Sequence, residues 1–421
     1  MSTRSTAAPA DQLTVRRSNL SLVLTHLRDA GPRSRARVAA DTGLNKATVS
    51  SLVAELIERG LVREGDVQRI GSVGRPGLMV ELAASTVVGV GLEVNADFVD
   101  VTALDLTHGV VLSERTAADM RALGEQGGIG LLTDCLRSAL DALVAAGCTV
   151  VGITVAVPAL VDSRLGRIAI APNLGWSDCP IGPLLTEATR GHPAFGAAAE
   201  VPVMVDNDAN LGAIAEHAVG VGRDVDDLVY LAGEVGVGCG VVVDGELVRG
   251  ATGFTGEIGH APLNPRLDRC GCGRVGCWET QVGLGVLLTG CAHGPDDVLL
   301  DPETDIDGRL AVVRQRAAAE DERTCATLER VGIALGLGAS VLVNIVNPRV
   351  LVLGGYFALL APLLRGYVVD TLLERVVAPD GGGVDVRAST FGFAAASRGG
   401  AVVALQEVFA DPTRVAGTTA G

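Results

Sequence analysis

The sequence predicts an α/β chain in three parts: a small helical head with a β-hairpin wing, then a body of two similarly built lobes around a cleft. Three observations carry that expectation. Apolar residues recur at helical spacing up to Gly60. From Val87 onward short apolar runs between turn residues take over, and after Leu228 the order of hairpin then helix repeats. Charge divides at the same boundary: of 34 basic and 49 acidic residues, 12 and 8 lie before residue 86 and 22 and 41 after it, a balance of +4 against −19. The net charge of −15 taken alone argues against nucleic acid, but a basic head on an acidic body does not. At 421 residues, 48% of them hydrophobic, the chain exceeds one compact core, and 3% aromatics makes its cores aliphatic.

Residues 1–14, rich in Ser, Thr and Ala with no apolar segment, read as a disordered tail and not as a secretory signal. Residues 15–83 read as a winged helix-turn-helix. Leu20, Val23, Leu24 and Leu27 mark a first helix, ended by Gly31-Pro32. A second spans about Ser34–Asp41, Gly43 supplies a turn, and Asn45 caps a third whose buried face is Val49, Leu52, Val53, Leu56 and Ile57. Gly60 closes that helix. Two helices joined through a glycine turn, the second opening on small polar residues, make the helix-turn-helix pattern. The candidate DNA contacts are Asn45, Lys46, Ala47, Thr48, Ser50 and Ser51. Short side chains let the helix enter a major groove, while Lys46, the only lysine of the chain, and the hydroxyls reach bases or phosphates. Leu61–Glu64 and Leu78–Leu82 flank a polar turn as the wing, and Arg75 in Gly74-Arg75-Pro76-Gly77 suits a minor groove. Tri-helical units of this size also dock proteins. The glycine turn, polar helix start, basic wing and charge split agree on double-stranded DNA.

In the body, Val87–Val94, Phe98–Leu106, Gly109–Arg115 and Val150–Val157 read as strands, with a helix at about Ile129–Ala146. Leu228–Ala232, Gly238–Val243, Glu246–Arg249 and Val350–Leu353 repeat the pattern around a long helix at about Glu320–Val343. The first lobe is placed at 86–205, completed by a C-terminal helix at about 394–410, and the second at 206–393. Val331–Val343, the most membrane-like stretch, is short of a span and soon meets Asn344, Asn347 and Pro348, so a buried core helix and no membrane partner are expected. Nine cysteines without an export signal point to reduced thiols or metal ligands, and to the cytoplasm.

Gly256-Glu257-Ile258-Gly259-His260, followed by Cys270-Gly271-Cys272-Gly273-Arg274-Val275-Gly276-Cys277-Trp278-Glu279, resembles the signature of the ROK family of repressors and sugar kinases. The resemblance runs over nearly the whole chain and implies a two-lobed actin/hexokinase-like (ribonuclease-H-like) body. His260, Cys270, Cys272 and Cys277 are separated by nine, one and four residues, and the intervening glycines let a short loop wrap a metal. Three thiolates and one imidazole satisfy tetrahedral Zn²⁺, and a site with four protein ligands is structural. The other six cysteines read as ordinary buried residues. The resemblance also implies a sugar pocket. Asp208 matches the family's base position, Asn207 a hydroxyl ligand, and Glu257, His260 and Glu279 further contacts, with Asn173 in the Pro172–Trp176 loop. Carboxylates and amides are the right chemistry for vicinal hydroxyls. One nitrogen of His260 would face the metal and the other the pocket.

Kinases of this family cradle phosphate with an Asp-x-Gly-Gly-Thr turn. Here the matching residues are Glu93-Val94-Asn95-Ala96-Asp97, without either glycine and with a carboxylate, Asp97, that would repel phosphate. The expectation is therefore a cytoplasmic sugar-responsive regulator, a repressor of carbohydrate genes without catalysis. It acts as a homodimer or tetramer on operator DNA and is gated by a small sugar or sugar phosphate. The alternative is a working sugar kinase that also binds DNA. A protein-interaction module that binds neither would require both the pocket and the wing to be relics.

Overall fold

The computed structural model describes residues 12–65, 78–198, 200–302 and 304–417. Helix α1 (Gln12–Ala30) buries Leu20, Val23, Leu24 and Leu27, the predicted face. It begins at Gln12, so the expected tail reaches too far: its residues 12–14 are helical, drawn in by the packing of the turns that follow. A short strand β1 (Arg33–Ser34) leads to α2 (Arg35–Thr42), where Ser34 accepts from the Arg37 N–H, and Gly43 turns the chain at φ 74°. Helix α3 (Lys46–Glu58) buries Val49, Leu52, Val53 and Leu56, whereas Ile57 is 36% exposed. Strands β2 (Val62–Gly65) and β3 (Met79–Leu82) pair antiparallel, and β1 joins the far edge of β3. The wing tip that holds Arg75 lies outside the described residues.

The first lobe sheet takes β4 (Val87–Val94), β5 (Phe98–Asp105), β6 (Val110–Ala117), β7 (Thr149–Val157) and β11 (Val203–Asn207), in the order β11-β7-β4-β5-β6. Helix α4 (Met120–Ala145) precedes β7; β8 (Leu160–Asp162), β9 (Arg167–Ala171) and β10 (Trp176–Cys179) form a small antiparallel sheet before α5 (Ile181–Thr189). After β11 come α6 (Asp208–Val219) and the second lobe sheet. Its strands β12 (Leu228–Gly233), β13 (Val237–Val243), β14 (Glu246–Leu247), β15 (Val350–Gly355) and β16 (Asp385–Ala388) run β14-β13-β12-β15-β16. In both sheets a three-stranded antiparallel meander extends on one side through two parallel strands, so one topology is used twice.

Helices α7 (Glu279–Val282), α8 (Leu284–Cys291), α9 (Ile306–Ala318), α10 (Glu322–Val346), α11 (Tyr356–Leu359) and α12 (Ala361–Arg375) cover the second sheet. Helix α10 is long and apolar enough to cross a membrane, but its buried side packs in one core with α8, α12 and the second sheet. The last helix, α13 (Ala395–Ala410), lies against β4, β7 and α6. There glycines allow backbone to approach backbone: a Cβ on Gly399 would fall 1.8 Å from the Leu211 carbonyl oxygen, and one on Gly91 1.7 Å from that of Ser397. Leu405, Val408 and Phe409 of α13 share one core with Leu20, Val23 and Leu24 of the head. Arg59 donates to the carbonyls of Thr413 (3.3 Å) and Val415 (2.5 Å), and Arg28 stacks over Phe409 at 5.0 Å. Of the cysteines expected to be buried, Cys325 is exposed, and Cys135 is half-buried at the edge of the first-lobe core, its thiol 3.7 Å from the Thr116 hydroxyl of β6.

Candidate functional site

Strand and helix ends deliver the polar side chains to the cleft between the lobes. Strand β11 ends on Asn207 and α6 opens on Asp208. The Asn207 side chain accepts from the Asn210 N–H at 3.1 Å and the Asp208 carboxylate from the Ala209 N–H at 2.8 Å, so the helix start is capped by residues that face the cleft. A 3₁₀ turn, Glu257–His260, and the start of α7 at Glu279 come from the second lobe; Asn173 comes from the turn between β9 and β10. The structure brings all six sequence-predicted sugar contacts, Asn173, Asn207, Asp208, Glu257, His260 and Glu279, to the wall of one cavity of about 160 Å³. Gly236 leaves room for two of them, since a Cβ there would lie 2.9 Å from Glu279 Oε2 and 3.1 Å from Asn173 Nδ2 and would make both side chains shift. Burial raises the Asp208 carboxyl well above its ordinary range, with Glu234 adding to the rise. Burial likewise raises that of Glu257, opposed by His260 and assisted by Glu279.

At the end of the cleft where a kinase would hold phosphate, Asn95 Nδ2 donates to Glu234 Oε2, joining the β4–β5 turn of one lobe to the β12–β13 turn of the other. Burial pushes the Glu234 carboxyl up to about 7, against the Asn95 hydrogen bond and the Arg115 charge. Asp97 does not line the cavity. Its N–H returns to Asn95 Oδ1 at 3.3 Å and its carboxylate faces Arg309 at 4.0 Å, so the repulsion expected from Asp97 is corrected: the carboxylate at this end is Glu234. Glu93 is fully buried, and neither of its carboxylate oxygens has a hydrogen-bond partner among the described residues. Burial, then the charges of Glu234, Asp100 and Asp208, raise it well above the usual carboxylate range, against the charge of Arg115. The sequence reading gave Glu93 no role, although a single charge inside the apolar run Val87–Val94 was a signal.

His260, Cys270, Cys272 and Cys277 offer four donor atoms, all within 4.8 Å of one another. Cys272 and Cys277 are 3.8 Å apart at sulfur, and Cys270 Sγ is 3.7 Å from His260 Nδ1. Bonds of about 2.3 Å to a tetrahedral metal require sulfurs about 3.8 Å apart. Cys270 Sγ also lies 2.6 Å from Glu279 Oε1; burial and that carboxylate raise its thiol far above the ordinary range. A cation among the sulfurs would replace the proton this contact otherwise needs. The cluster can hold a metal. Nδ1 of His260 faces the sulfurs, while Nε2 lies 3.8 Å from Glu257 Oε2 in the cleft cavity.

On α3, Lys46, Ala47, Ser50 and Ser51 are exposed, Thr48 is half-buried, and Asn45 stands at the helix start. Asn45 Oδ1 accepts from the Thr48 N–H at 2.8 Å, and Ser50 Oγ donates to the Lys46 carbonyl at 2.9 Å. Ser51 Oγ accepts from Arg16 at 3.4 Å, and Arg16 also pairs with Glu55 at 2.5 Å. Arg16 thus adds a cation beside this face that the sequence reading did not assign.

The sequence profile of the ROK family matches residues 104–407, and that of the IclR helix-turn-helix domain residues 19–66. The chain is 31% identical over 366 residues to a xylose repressor of Caldicellulosiruptor bescii, covering 85% of this chain and 88% of the relative. It is 27% identical over 349 residues to the DNA-binding transcriptional dual regulator NagC of Escherichia coli, covering 81% of each. Among solved structures, a ROK family transcriptional regulator homologous to the E. coli MLC protein superposes with TM-score 0.75 at 23% identity, over 95% of this chain and 99% of that one. A ROK hexokinase from Thermus thermophilus gives 0.56 at 27% identity, over 76% and 99%.

Proposed function

The chain belongs to the ROK family, and from that premise we propose that it is a sugar-responsive transcriptional repressor of carbohydrate genes, with a monosaccharide effector in the interlobe cleft and no kinase turnover. The observation that carries the reading is the joining of a helix-turn-helix head to a cleft whose phosphate end is closed by the Asn95–Glu234 bridge. Phosphoryl transfer rests on positioning and charge neutralisation. A carboxylate where the phosphate would sit supplies neither. The relatives named for xylose and the regulator NagC support a repressor that answers to a small sugar, which makes xylose the first effector to test.

Asn173, Asn207, Asp208, Glu257, His260 and Glu279 hold the sugar hydroxyls in this reading, supported by their convergence on one cavity. Asp208 binds a hydroxyl and does not activate it. His260, Cys270, Cys272 and Cys277 hold a structural Zn²⁺ that fixes the cavity wall through His260 and the neighbouring Glu279. Lys46, the exposed start of α3 and Arg75 contact operator DNA, and the protein acts in the cytoplasm as a homodimer or tetramer, since a two-fold operator needs two recognition helices.

The test is fluorescence anisotropy on duplex DNA from the protein's own upstream region, with and without D-xylose and a panel of other monosaccharides. Sequence-specific binding that one sugar weakens at least about fivefold is expected. Lys46→Ala should lower affinity and, if it contacts phosphate, reduce the salt slope by about one. DNA binding indifferent to every sugar, or sugar-dependent ATP turnover near one per second, would overturn the reading.

A further inference from the structure

Resting on the sugar reading of the cleft, we infer that the effector is an uncharged monosaccharide and that phosphate esters and acid sugars are rejected at the end closed by Asn95 and Glu234. Three features of the cavity carry this. A phosphate group needs free N–H donors, a helix N-terminus or cationic side chains. The N-terminus of α6 points at the cleft, but its first N–H groups are already taken: Ala209 by the Asp208 carboxylate and Asn210 by the Asn207 side chain. In the glycine-bearing turn after β12 the Glu234 N–H turns back to the Gly236 carbonyl at 2.9 Å, and the Glu234 side chain closes onto Asn95.

The second feature is charge. Asp208, Glu234, Glu257 and Glu279 line the cavity, against one guanidinium, that of Arg274. Arg274 is exposed and belongs to the cysteine loop, between the candidate metal ligands Cys272 and Cys277. The third feature is the enclosed floor. Glu93 lies wholly buried behind the bridge, so a phosphate pushed past Asn95 would meet a further acid and no donor from it beyond a single proton. Neutral hydroxyls find acceptors in the carboxyl groups and donors in the Asn173 and Asn207 amides; a dianion would add charge to a cleft in which four acids already crowd one another.

The experiment is isothermal titration of the full-length, metal-containing protein at pH 7.5. D-xylose, D-glucose and N-acetyl-D-glucosamine are compared with glucose 6-phosphate and N-acetylglucosamine 6-phosphate. At least one neutral sugar should bind, with phosphate esters about 100-fold weaker. In Glu234→Gln, which keeps the side-chain shape and removes the charge, the gap should narrow by about tenfold. A phosphate ester that binds as tightly as the neutral sugar overturns the inference while leaving a sugar-responsive regulator standing. A gap unchanged in Glu234→Gln overturns the role of this end of the cleft. Binding of neither class removes the sugar reading itself, and this inference with it.

Discussion

Glu234 is the residue at which one carboxylate both closes the cleft and strains the fold. Its carboxyl is pushed up to about 7 by burial, above a value near 4.5 for an exposed glutamate, so the folded protein keeps a proton that the unfolded chain has already released. Stability from this group is therefore lost as pH rises between those two values, and the full penalty is present above about 7. Glu234→Gln should match the parent near pH 4.5 and exceed its melting temperature by about 2–4 °C at pH 8, measured by differential scanning fluorimetry; the reverse trend would refute the assignment. The bridge itself was not legible in the sequence, because Asn95 and Glu234 are 139 positions apart and only the meeting of two turns joins them. Asn95 could be read only as a missing glycine. The cysteine quartet was legible because its ligands lie within one loop and their types name the chemistry. The six cavity residues were legible only through the family resemblance, since Asn173 and Glu279 share no local pattern.

Helix α13 shows what whole elements demand. Its glycines let it lie directly on β4, β7 and α6, and the last of these helices begins at the cleft with Asp208. Gly399→Ala would drive a methyl into the Leu211 carbonyl, which is backbone and cannot swing away. We expect a loss of about 1–3 kcal/mol in urea unfolding, together with a weaker sugar response because the start of α6 would shift; an unchanged denaturation midpoint would count against this packing. Element boundaries follow the same logic. The expected helix at 129–146 began too late: α4 opens on a short turn at Met120, breaks at Gly124 (φ 66°), and its long part then passes through Gly127, Gly128 and Gly130, residues that propensity disfavours. Tertiary fit decides there, since a Cβ on Gly128 would lie 2.3 Å from the Trp176 ring. The expected long helix stopped short of Val346 because its terminator is Asn347 in the left-handed region at φ 51°, a weaker signal than glycine.

At the scale of the molecule, the repeated sheet topology was legible as a recurring order of hairpin and helix, whereas the seating of the head on the body was not, because no local pattern encodes it. Arg59, at the end of the recognition helix, donates to the Thr413 and Val415 carbonyls just beyond α13. Arg59→Ala should cut the sugar-induced loss of operator affinity by about fivefold, while the sugar-free affinity changes far less, read by anisotropy with and without effector. An unaltered ratio would show that the two parts are coupled by another route. Because Phe409, Val408 and Leu405 complete the core around Leu20 and Leu24, the head has no finished hydrophobic interior of its own. A fragment cut near residue 84 would expose that apolar surface to water and should aggregate or remain molten. A chimera that exchanges recognition helices among regulators of this kind will fold only if the last turns of α13 travel with the first sixty residues, so operator choice and the C-terminus must be inherited as one unit.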